Sequence, residues 1–426
     1  METFFAGLLL ALLALLGAPL FTIIGAVAVL AFRSEGIEST AVMVELYRIA
    51  TNPTLLAIPL FTFSGYVLAE SKTPVRLVNL ARAFFGTVPG GLAVVALLTC
   101  AIFTAFTGAS GVTIVALGGL LFPILLKEQY PERFSLGLIT TSGSLGLLFP
   151  PSLPLILYAL VAKLSIDKLF AAGIVPGILL VAALALYSVR QGTKLRLPKT
   201  PLRLETIRVA VRAAAWEIPL PFLIIGGIYG GLFTATEAAA VTAFYVVVVE
   251  VFIYRDLNLF RDMPRVMRES MVLVGAILMI LGAAMGLTNY LIDEEVPMKL
   301  FEFTRQFIES PVLFLIVLNL FLIVVGMMMD IFSAIIVVVP LIIPIAMAYG
   351  VDPVHLGIIF LTNLEIGYLT PPVGLNLFIS SIRFGKPIFT IVRSVLPYIG
   401  ILLIALIIIT YVPELSLWLV NLLGVQ

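Results

Sequence analysis

Long apolar stretches separated by short charged segments run through the whole chain. Most stretches reach or exceed about 20 residues, the length that an α-helix needs to cross a bilayer. They predict crossing helices at residues 3–32, 53–70, 133–163, 168–189, 215–232, 235–254, 271–292, 353–383 and 388–412. The mixed polar and apolar segments between them predict amphipathic interfacial helices at 34–52, 72–86, around 255–268 and between the acidic residues 293–295 and residue 308.

Two further apolar stretches, residues 88–126 and 311–349, are too long for one crossing and too short for two crossings with a loop. Small and hydroxyl-bearing residues occupy the centre of the first stretch, at 104–111. The centre of the second, at 326–333, contains Asp330. Each stretch therefore predicts a re-entrant hairpin, whose two helices turn back at mid-depth in the membrane.

A double proline interrupts each of two predicted crossing helices. Proline donates no backbone hydrogen bond and pushes the preceding residue away from helical angles. A helix must break there, at a depth where freed backbone groups are tolerated only inside protein or along a cavity. Broken helices at corresponding places in two halves are typical of the binding site of a secondary transporter. The two copies of the pattern are Gly146-x-x-x-Pro150-Pro151 and Gly367-x-x-x-Pro371-Pro372.

The number of residues that separates the two double-proline motifs also separates Gly65 from Gly286, which indicates a duplicated unit. We expect a first unit at residues 1–212 and a second at 213–426. The segments that carry most of the Lys and Arg are predicted to face the cytoplasm. With these segments inside, the two units have opposite orientations in the membrane. The predicted fold is an all-α polytopic membrane protein with an inverted-topology repeat, two re-entrant hairpins and two broken helices, as in elevator-type ion transporters.

Composition excludes several classes of function. The 426 residues are 61% hydrophobic and 12% charged, with a net charge of +1, which gives no case for nucleic-acid binding. The sequence contains no phosphate-binding loop, no HExxH or GxSxG motif and no Cys/His ligand set. We therefore expect no ATPase, no enzyme and no organic cofactor. Cys100 is the single cysteine, so an internal disulfide is excluded.

Oxygen-bearing and small residues cluster at both hairpin centres and beside both helix breaks. Hydroxyls, amides and unwound carbonyls are hard ligands for a small cation, and opened helix ends add partial charges. The alternative is close helix packing by small residues, with Asp330 as a helix N-cap. The candidate sodium ligands are Thr107, Gly108, Ser110, Ser142, Ser144 and Gly146 in the first unit and Asp330, Ser333, Thr362, Asn363 and Gly367 in the second.

The helix segments that begin after the double prolines offer free N–H groups to an anion. An anionic substrate is therefore expected between the hairpin tips and these segments. The candidate substrate-binding residues are Ser110, Pro150, Pro151, Ser152, Thr370, Pro371, Pro372 and Asn376.

Other polar residues in apolar surroundings leave alternatives open. Glu365 and Glu237 are carboxylates in apolar segments, and such residues are costly in a membrane unless they serve a function. An intramembrane aspartyl protease would need two facing carboxylates, for which Asp330 has only Glu365 as an obvious partner. An open channel is disfavoured because dead-end hairpins occlude a site. His355, the only histidine, is expected at the surface, at a helix start after Asp352.

Taken together, these motifs resemble the large membrane subunit of tripartite ATP-independent periplasmic (TRAP) transporters, the DctM-like family. The resemblance extends over nearly the whole chain. Ile331 stands where this family often has proline. The matching residues are 58–61 with Gly65, 108–111, 145–152, 233–240, 329–330, 352–355 and 363–376.

The resemblance implies a sodium-driven elevator importer of organic acids in the bacterial inner membrane. It also implies a periplasmic binding protein that delivers substrate and a small four-helix membrane subunit, which we expect to be a separate chain. Members take dicarboxylates, sialic acids, other sugar acids and keto acids, and nothing in the sequence selects among these. A proton-coupled organic anion transporter without a binding protein is the alternative.

Overall fold

A computed structural model describes residues 7–424 except 11, 14–15, 39, 41, 45–46, 48–50, 52 and 196–202. Every regular element among the described residues is helical. Part of the predicted interfacial helix at 34–52 lies outside the described residues, and so does part of the basic connection at 190–212; within 34–52, a turn at 35–36 follows α1 and residues 40, 42–44 and 47 are helical. Along the rest of the chain, the predicted all-α fold is confirmed.

Helices α1 to α9 form the first half of the described chain. Most of their bounds follow the predicted segments, with a 3₁₀ turn at Pro53–Leu56 before α2 and a π-helical turn at Ile114–Gly118 inside α5. The predicted crossing helix at 3–32 differs, because the chain turns at residues 16–17 and α1 begins only at Leu20. The helices are α1 (Leu20–Ser34), α2 (Ala57–Glu70), α3 (Thr73–Phe85), α4 (Gly91–Thr107), α5 (Ser110–Lys127), α6 (Glu132–Ser142), α7 (Leu153–Ala162), α8 (Ile166–Lys194) and α9 (Leu204–Ala213).

Helices α10 to α19 form the second half. They are α10 (Pro219–Tyr229), α11 (Ala235–Ile253), α12 (Met263–Asp293), α13 (Val296–Arg305), α14 (Pro311–Met328), α15 (Ile331–Ala348), α16 (Pro353–Gly367), α17 (Leu375–Phe384), α18 (Ile388–Tyr411) and α19 (Glu414–Leu423). By length and composition, eight helices among the described residues could each cross a membrane, and α6 with α7 adds a ninth candidate that bends by 44° at its break.

The predicted amphipathic helix around residues 255–268 is wrong. Residues 254–262 form bends and turns, and α12 begins at Met263 and continues as one helix to Asp293. The side-chain oxygen of Asn258 accepts hydrogen bonds from the N–H groups of Phe260 and Arg261, at 2.9 and 3.1 Å. Asn favours such turns because its side chain can replace a backbone acceptor.

The helices pack in two groups. In the first, which we call the frame (α1, α2, α10, α11 and α12), α2 packs against α11 and α12. The second, which we call the block, contains the hairpins α4–α5 and α14–α15, the broken helices α6–α7 and α16–α17, and helices α8, α18 and α19. Within the block, α6 packs along α18 and α7 packs against α15, so elements from the two halves of the sequence interleave.

Helix α16 lies at the centre of the block. All of its residues from Val354 to Gly367 are buried, whether apolar or polar. A helix that is apolar on every side is buried on every side, and its few polar groups must then find partners inside the protein. The paired and the unpaired polar groups of α16 form much of the candidate site.

Candidate functional site

The tip of the first hairpin lies against the break of the first broken helix. Gly108, with φ +63°, ends α4, and α5 begins two residues later. The hydroxyl of Thr104 lies 2.7 Å from the hydroxyl of Thr113 and donates to the carbonyl oxygen of Gly143 at 2.9 Å. These bonds hold the two hairpin arms together and attach both to the segment after α6.

Gly146 permits this close approach. A Cβ atom at position 146 would lie 2.2 Å from the carbonyl oxygen of Ala101 and 2.6 Å from the backbone nitrogen of Ala105. Backbone atoms cannot move aside as a flexible side chain can. The glycine of the first repeated motif is therefore required by contact between the helix break and hairpin helix α4.

Several hydroxyls near this contact are buried without a partner. Among the described residues, Thr107, Thr141 and Ser152 have side-chain oxygens with no hydrogen-bond partner. Ser142 and Ser144 instead donate to carbonyls one turn back in their own segment, Ile139 at 3.1 Å and Thr141 at 3.3 Å. Buried polar atoms in proteins are normally paired, so the unpaired oxygens are available to a ligand.

At the second hairpin tip, Asp330 is the N-cap of α15. Its carboxylate accepts the N–H groups of Phe332 and Ser333, both at 3.0 Å, and the hydroxyl of Ser333 at 2.5 Å. The capping interpretation of Asp330 is therefore confirmed. The N–H of Ile331 donates to the hydroxyl of Tyr368 at 2.5 Å, which fixes the tip to the segment that follows α16.

Gly367 packs against the second hairpin as Gly146 packs against the first. A Cβ atom at position 367 would lie 2.5 Å from the carbonyl carbon of Gly326 and 2.9 Å from the backbone nitrogen of Met327. Both repeated glycines thus place a helix break against the backbone of the first arm of a hairpin. This shared contact gives a structural reason for the repeated motif.

A buried polar chain leads away from this second contact. The side-chain nitrogen of Asn363 donates to Asn319 at 2.7 Å and to the carbonyl of Ile359 at 2.8 Å, and the nitrogen of Asn319 donates to Thr410 at 3.2 Å. The side-chain oxygen of Asn363 is buried and has no partner among the described residues. Thr362, in contrast, uses its hydroxyl within α16, donating to Ile358 at 2.7 Å.

His355 is buried, so the expectation that it lies at the surface is wrong. Its helix-start position is confirmed, because Asp352 caps α16 and accepts the N–H groups of Val354 and His355. The imidazole lies 3.1 Å from the hydroxyl of Ser416 and 3.2 Å from the carbonyl oxygen of Thr410. Helices α18 and α19 cover it, and packing of helices this distant in sequence could not be read from the local pattern.

Asn376 connects the two halves of the sequence. Its side-chain oxygen accepts the hydroxyl of Ser110 at 2.8 Å, and its nitrogen donates to the carbonyl oxygen of Thr140 at 3.4 Å. The hydroxyls of Thr140 and Ser380 lie 2.9 Å apart beside this bond. The second half of one broken helix therefore binds both the hairpin tip and the first half of the other broken helix.

Arg383 strengthens the same connection. Its Nε donates to the carbonyl oxygen of Val115 at 3.0 Å. Val115 lies in the π-helical turn of α5, where the regular helix pattern is interrupted. The guanidinium thus pairs a backbone acceptor on the first hairpin from the end of α17.

Some of the candidate substrate-binding side chains already form hydrogen bonds within the protein, and others do not. Thr370 donates to the carbonyl oxygen of Ile366 at 2.8 Å, and Asn376 is engaged as described above. Of the candidate side chains Ser152, Thr370 and Asn376, Ser152 alone has an unpaired oxygen. Pro371 and Pro372 are exposed, Pro150 is half-buried and Pro151 is buried. Both Pro-Pro peptide bonds are cis.

Two polar features inside the protein were absent from the sequence-based expectations. Arg76 on α3 binds Glu217, Glu250 and Asp256, at 2.9 Å to Glu250 and 2.6 Å to Asp256. A carboxylate at position 250, inside an apolar segment, was the available signal. Asn319 also went unrecognised, although it is a polar residue within the apolar sequence of α14.

Glu365 and Glu237 differ in their surroundings. Glu365 is fully buried, and neither of its carboxylate oxygens has a hydrogen-bond partner among the described residues. Glu237 forms a capping box with Thr234 at the start of α11, accepting the Thr234 N–H at 2.8 Å. Glu237 therefore has a local structural role.

Comparison with known proteins identifies the family. A family model described as "Tripartite ATP-independent periplasmic transporter, DctM component" matches residues 7–415. The C4-dicarboxylate TRAP transporter large permease protein DctM of Pseudomonas aeruginosa is 40% identical over 94% of this chain and 94% of its own length. The protein of the same name from Rhodobacter capsulatus is 36% identical over 98% of each chain.

A solved structure supports the fold independently. The Alcanivorax borkumensis YdaH transporter superposes with a TM-score of 0.65, covering 88% of this chain and 87% of that chain at 13% identity. At this identity the likeness concerns the fold alone. With the family match over nearly the whole sequence and the apolar helices described above, the chain belongs to the DctM family, the large multi-pass permease subunits of TRAP transporters in the bacterial inner membrane.

Proposed function

We propose that this subunit imports a C4-dicarboxylate with sodium as the coupling ion. In this proposal a periplasmic binding protein delivers the substrate, and a small membrane subunit completes the complex. The observation that carries the proposal is the pair of equivalent contacts in which a hairpin lies against a broken helix beside buried, unpaired oxygens. The two DctM relatives named above are C4-dicarboxylate transporters by name, which supports the substrate class.

Partners follow from the same family. One relative is named the isethionate TRAP transporter permease protein DctMQ of Oleidesulfovibrio alaskensis, and it is 36% identical over 85% of this chain. This chain matches 58% of that protein's length. A fused large and small subunit in a relative supports a complex of the two here. Relatives are also named for 2,3-diketo-L-gulonate and ectoine, so family membership alone does not fix the substrate.

The proposed ion sites use the oxygens that the fold leaves unpaired. In the first unit these are the hydroxyls of Thr107 and Thr141, and in the second the side-chain oxygen of Asn363. Sodium takes neutral oxygen ligands readily, and such oxygens would otherwise be costly to bury. The backbone around Gly108 and Gly146, where regular helices end, supplies further carbonyls close by.

The proposed substrate position lies beside the second halves of the broken helices. Helices α7 and α17 begin directly after the breaks, and the partial positive charge of a helix N-terminus favours an anion. At the start of α17 the N–H groups are partly engaged, because Gly374 donates to the carbonyl oxygen of Met327 at 3.1 Å and Asn376 to that of Tyr368 at 3.2 Å. Movement of the block against the frame would then carry the site across the membrane. The frame touches the block at the first hairpin tip, where Gly65 of α2 packs on Phe106 and Thr107.

A sodium gradient is expected to be necessary and sufficient to drive uptake. The chain, its small subunit and its binding protein would be reconstituted in vesicles, and uptake of radiolabelled succinate would be measured. An inward sodium gradient should give accumulation, whereas potassium without sodium should give background uptake. Accumulation driven by a pH gradient without sodium would instead support the proton-coupled alternative, for which the unpaired carboxylate of Glu365 is the candidate group.

Replacing Asn319 with Leu is expected to weaken sodium coupling. Asn319 accepts the side-chain nitrogen of Asn363, which orients the amide and leaves its oxygen unpaired. Losing the partner of a buried donor costs about 1–3 kcal/mol. The sodium concentration for half-maximal uptake should therefore rise about tenfold, with little change in the succinate concentration needed. Leu320→Ala on the exposed side of α14 is the control, and an unchanged sodium requirement in Asn319→Leu would refute the role.

A further inference from the structure

An apolar cavity of about 490 Å³ lies between the block and the frame. On the block side it is lined by α4, by α8 and by Phe149 and Pro150 at the first helix break. On the frame side it is lined by Pro221 and Ile225 of α10, and Phe85 at the end of α3 also lines it. All of its lining residues are Phe, Val, Leu, Ile, Ala or Pro.

A second cavity, of about 400 Å³, lies between α3 and α9. Its polar lining consists of Asn79 and Arg82 on α3 and Arg203 and Thr206 at the start of α9, and no carboxylate lines it. Arg82 uses one nitrogen for Glu128 at 2.9 Å, which leaves further guanidinium N–H groups. Arg203 has no ion pair within the part of the chain that the structure describes.

Residues close together along the chain line both cavities. Arg82 lines the basic cavity and Phe85 lines the apolar one, and residues three apart lie on the same side of a helix. On the opposite side, Ala213 at the end of α9 lines the basic cavity and Pro221 at the start of α10 lines the apolar cavity. The exposed Trp216 lies between them in sequence, and tryptophan is enriched where the hydrocarbon core meets the headgroups.

We infer that one anionic phospholipid binds here, with its phosphate at Arg82 and Arg203 and one acyl chain in the apolar cavity. The basic cavity supplies amide, hydroxyl and guanidinium donors for a phosphate, and basic pockets beside membrane helices bind anionic headgroups. The apolar cavity offers no polar partner, so a hydrocarbon chain is the occupant whose burial it favours. Binding itself does not depend on which substrate the subunit carries.

A lipid at this location would affect transport. The acyl chain would contact the helix break of the block and α10 of the frame at the same time. This consequence rests on the proposed movement of block against frame. The binding experiment below does not, so failure of one is distinguishable from failure of the other.

The test compares lipid retention among variants of the full chain. Each protein is incorporated in phosphatidylcholine vesicles that contain a minor share of phosphatidylglycerol and is then extracted gently. Native mass spectrometry identifies the lipid that remains bound from the mass of the protein–lipid complex. The parent should retain one phosphatidylglycerol in preference to phosphatidylcholine. Arg203→Ala should lower this retention about fivefold, the effect of one basic residue near an anionic lipid. Arg208→Ala, on α9 but outside the cavity lining, should retain it.

A second variant tests whether the acyl chain lies in the apolar cavity. Ala182 on α8 lines the apolar cavity and is exposed, so Ala182→Phe fills space without displacing packed atoms. It should abolish phosphatidylglycerol retention, while Leu186→Phe, at an exposed position outside the cavity lining, should not. Equal retention in the parent, Arg203→Ala and Ala182→Phe would overturn the proposal. Loss in Arg203→Ala alone would also overturn it, because the headgroup would then bind without an acyl chain in the apolar cavity.

Discussion

Replacing Arg76 with Met is expected to destabilise the protein by about 3–5 kcal/mol, the effect of breaking a buried ion pair from one side. The side chain of Arg76 is 11% exposed and meets the carboxylates of Glu217, Glu250 and Asp256, which are at most 6% exposed. Removal of the guanidinium would leave three buried carboxylates facing one another. A fall in the thermal unfolding temperature of the purified chain would measure this loss.

The charge of Arg76 is firmly held. Burial by itself would lower the pKa of its guanidinium, but the hydrogen bond with Asp256 and the charges of Glu250 and Glu217 raise the pKa above its ordinary value. The guanidinium also lies 3.9 Å from the ring centre of Tyr254, an additional cation–π contact. The cluster ties α3 to the start of α10, to the end of α11 and to the turn that follows α11.

Lys72 provides the matched control for Arg76. It lies 3.7 Å from Asp256, but its side chain is 76% exposed, so Lys72→Met should change stability little. Adding Glu250→Gln to Arg76→Met should recover part of the loss, because one uncompensated charge is removed. If Arg76→Met unfolded at the parent temperature, the cluster would not stabilise the fold.

The local pattern of the sequence was enough to locate the hairpins and the helix breaks. Proline acts on its own backbone and on the residue before it, so the double prolines at Pro150 and Pro371 indicated a break. Single prolines did not break their helices, since Pro123, Pro176, Pro340, Pro344 and Pro397 lie inside α5, α8, α15 and α18. Asp330 was also predictable as a helix cap, because capping depends on the next three residues. These features follow from short-range chemistry, and the structure confirms them.

Features that depend on distant partners were missed. Arg76 meets Glu217, 141 residues later, and Asn319 meets Thr410, 91 residues later, so no local pattern reports either pair. The surface expectation for His355 failed for the same reason, since Ser416 and Thr410 cover it. The helix expected around residues 255–268 failed differently, because charge and apolar residues there indicated an amphipathic helix while Asn258 formed a turn.

Replacing Gly65 with Val is expected to reduce uptake at least fivefold. A Cβ atom at position 65 would lie 2.3 Å from the carbonyl oxygen of Phe106 and 2.7 Å from the Cα of Thr107. Crowding of this kind costs about 1–3 kcal/mol. If the block moves against the frame, the penalty applies only in the arrangement where the hairpin tip rests on α2, so it shifts the balance of states by about 5–150-fold.

Gly65→Val should also change which surfaces of the protein a labelling reagent in the water can reach. Val373, in the break of the second broken helix, is 42% exposed, and Cys100 is buried. With Val373→Cys as the labelling site, a membrane-impermeant maleimide should react at least fivefold faster or slower when Gly65→Val is added. Gly275→Val is the matched control, because a Cβ atom at position 275 of α12 meets nothing within 4 Å. Parent rates of both uptake and labelling in Gly65→Val would show that transport does not pass through a state in which the tip rests on α2, and a fixed frame with a moving block would then be wrong.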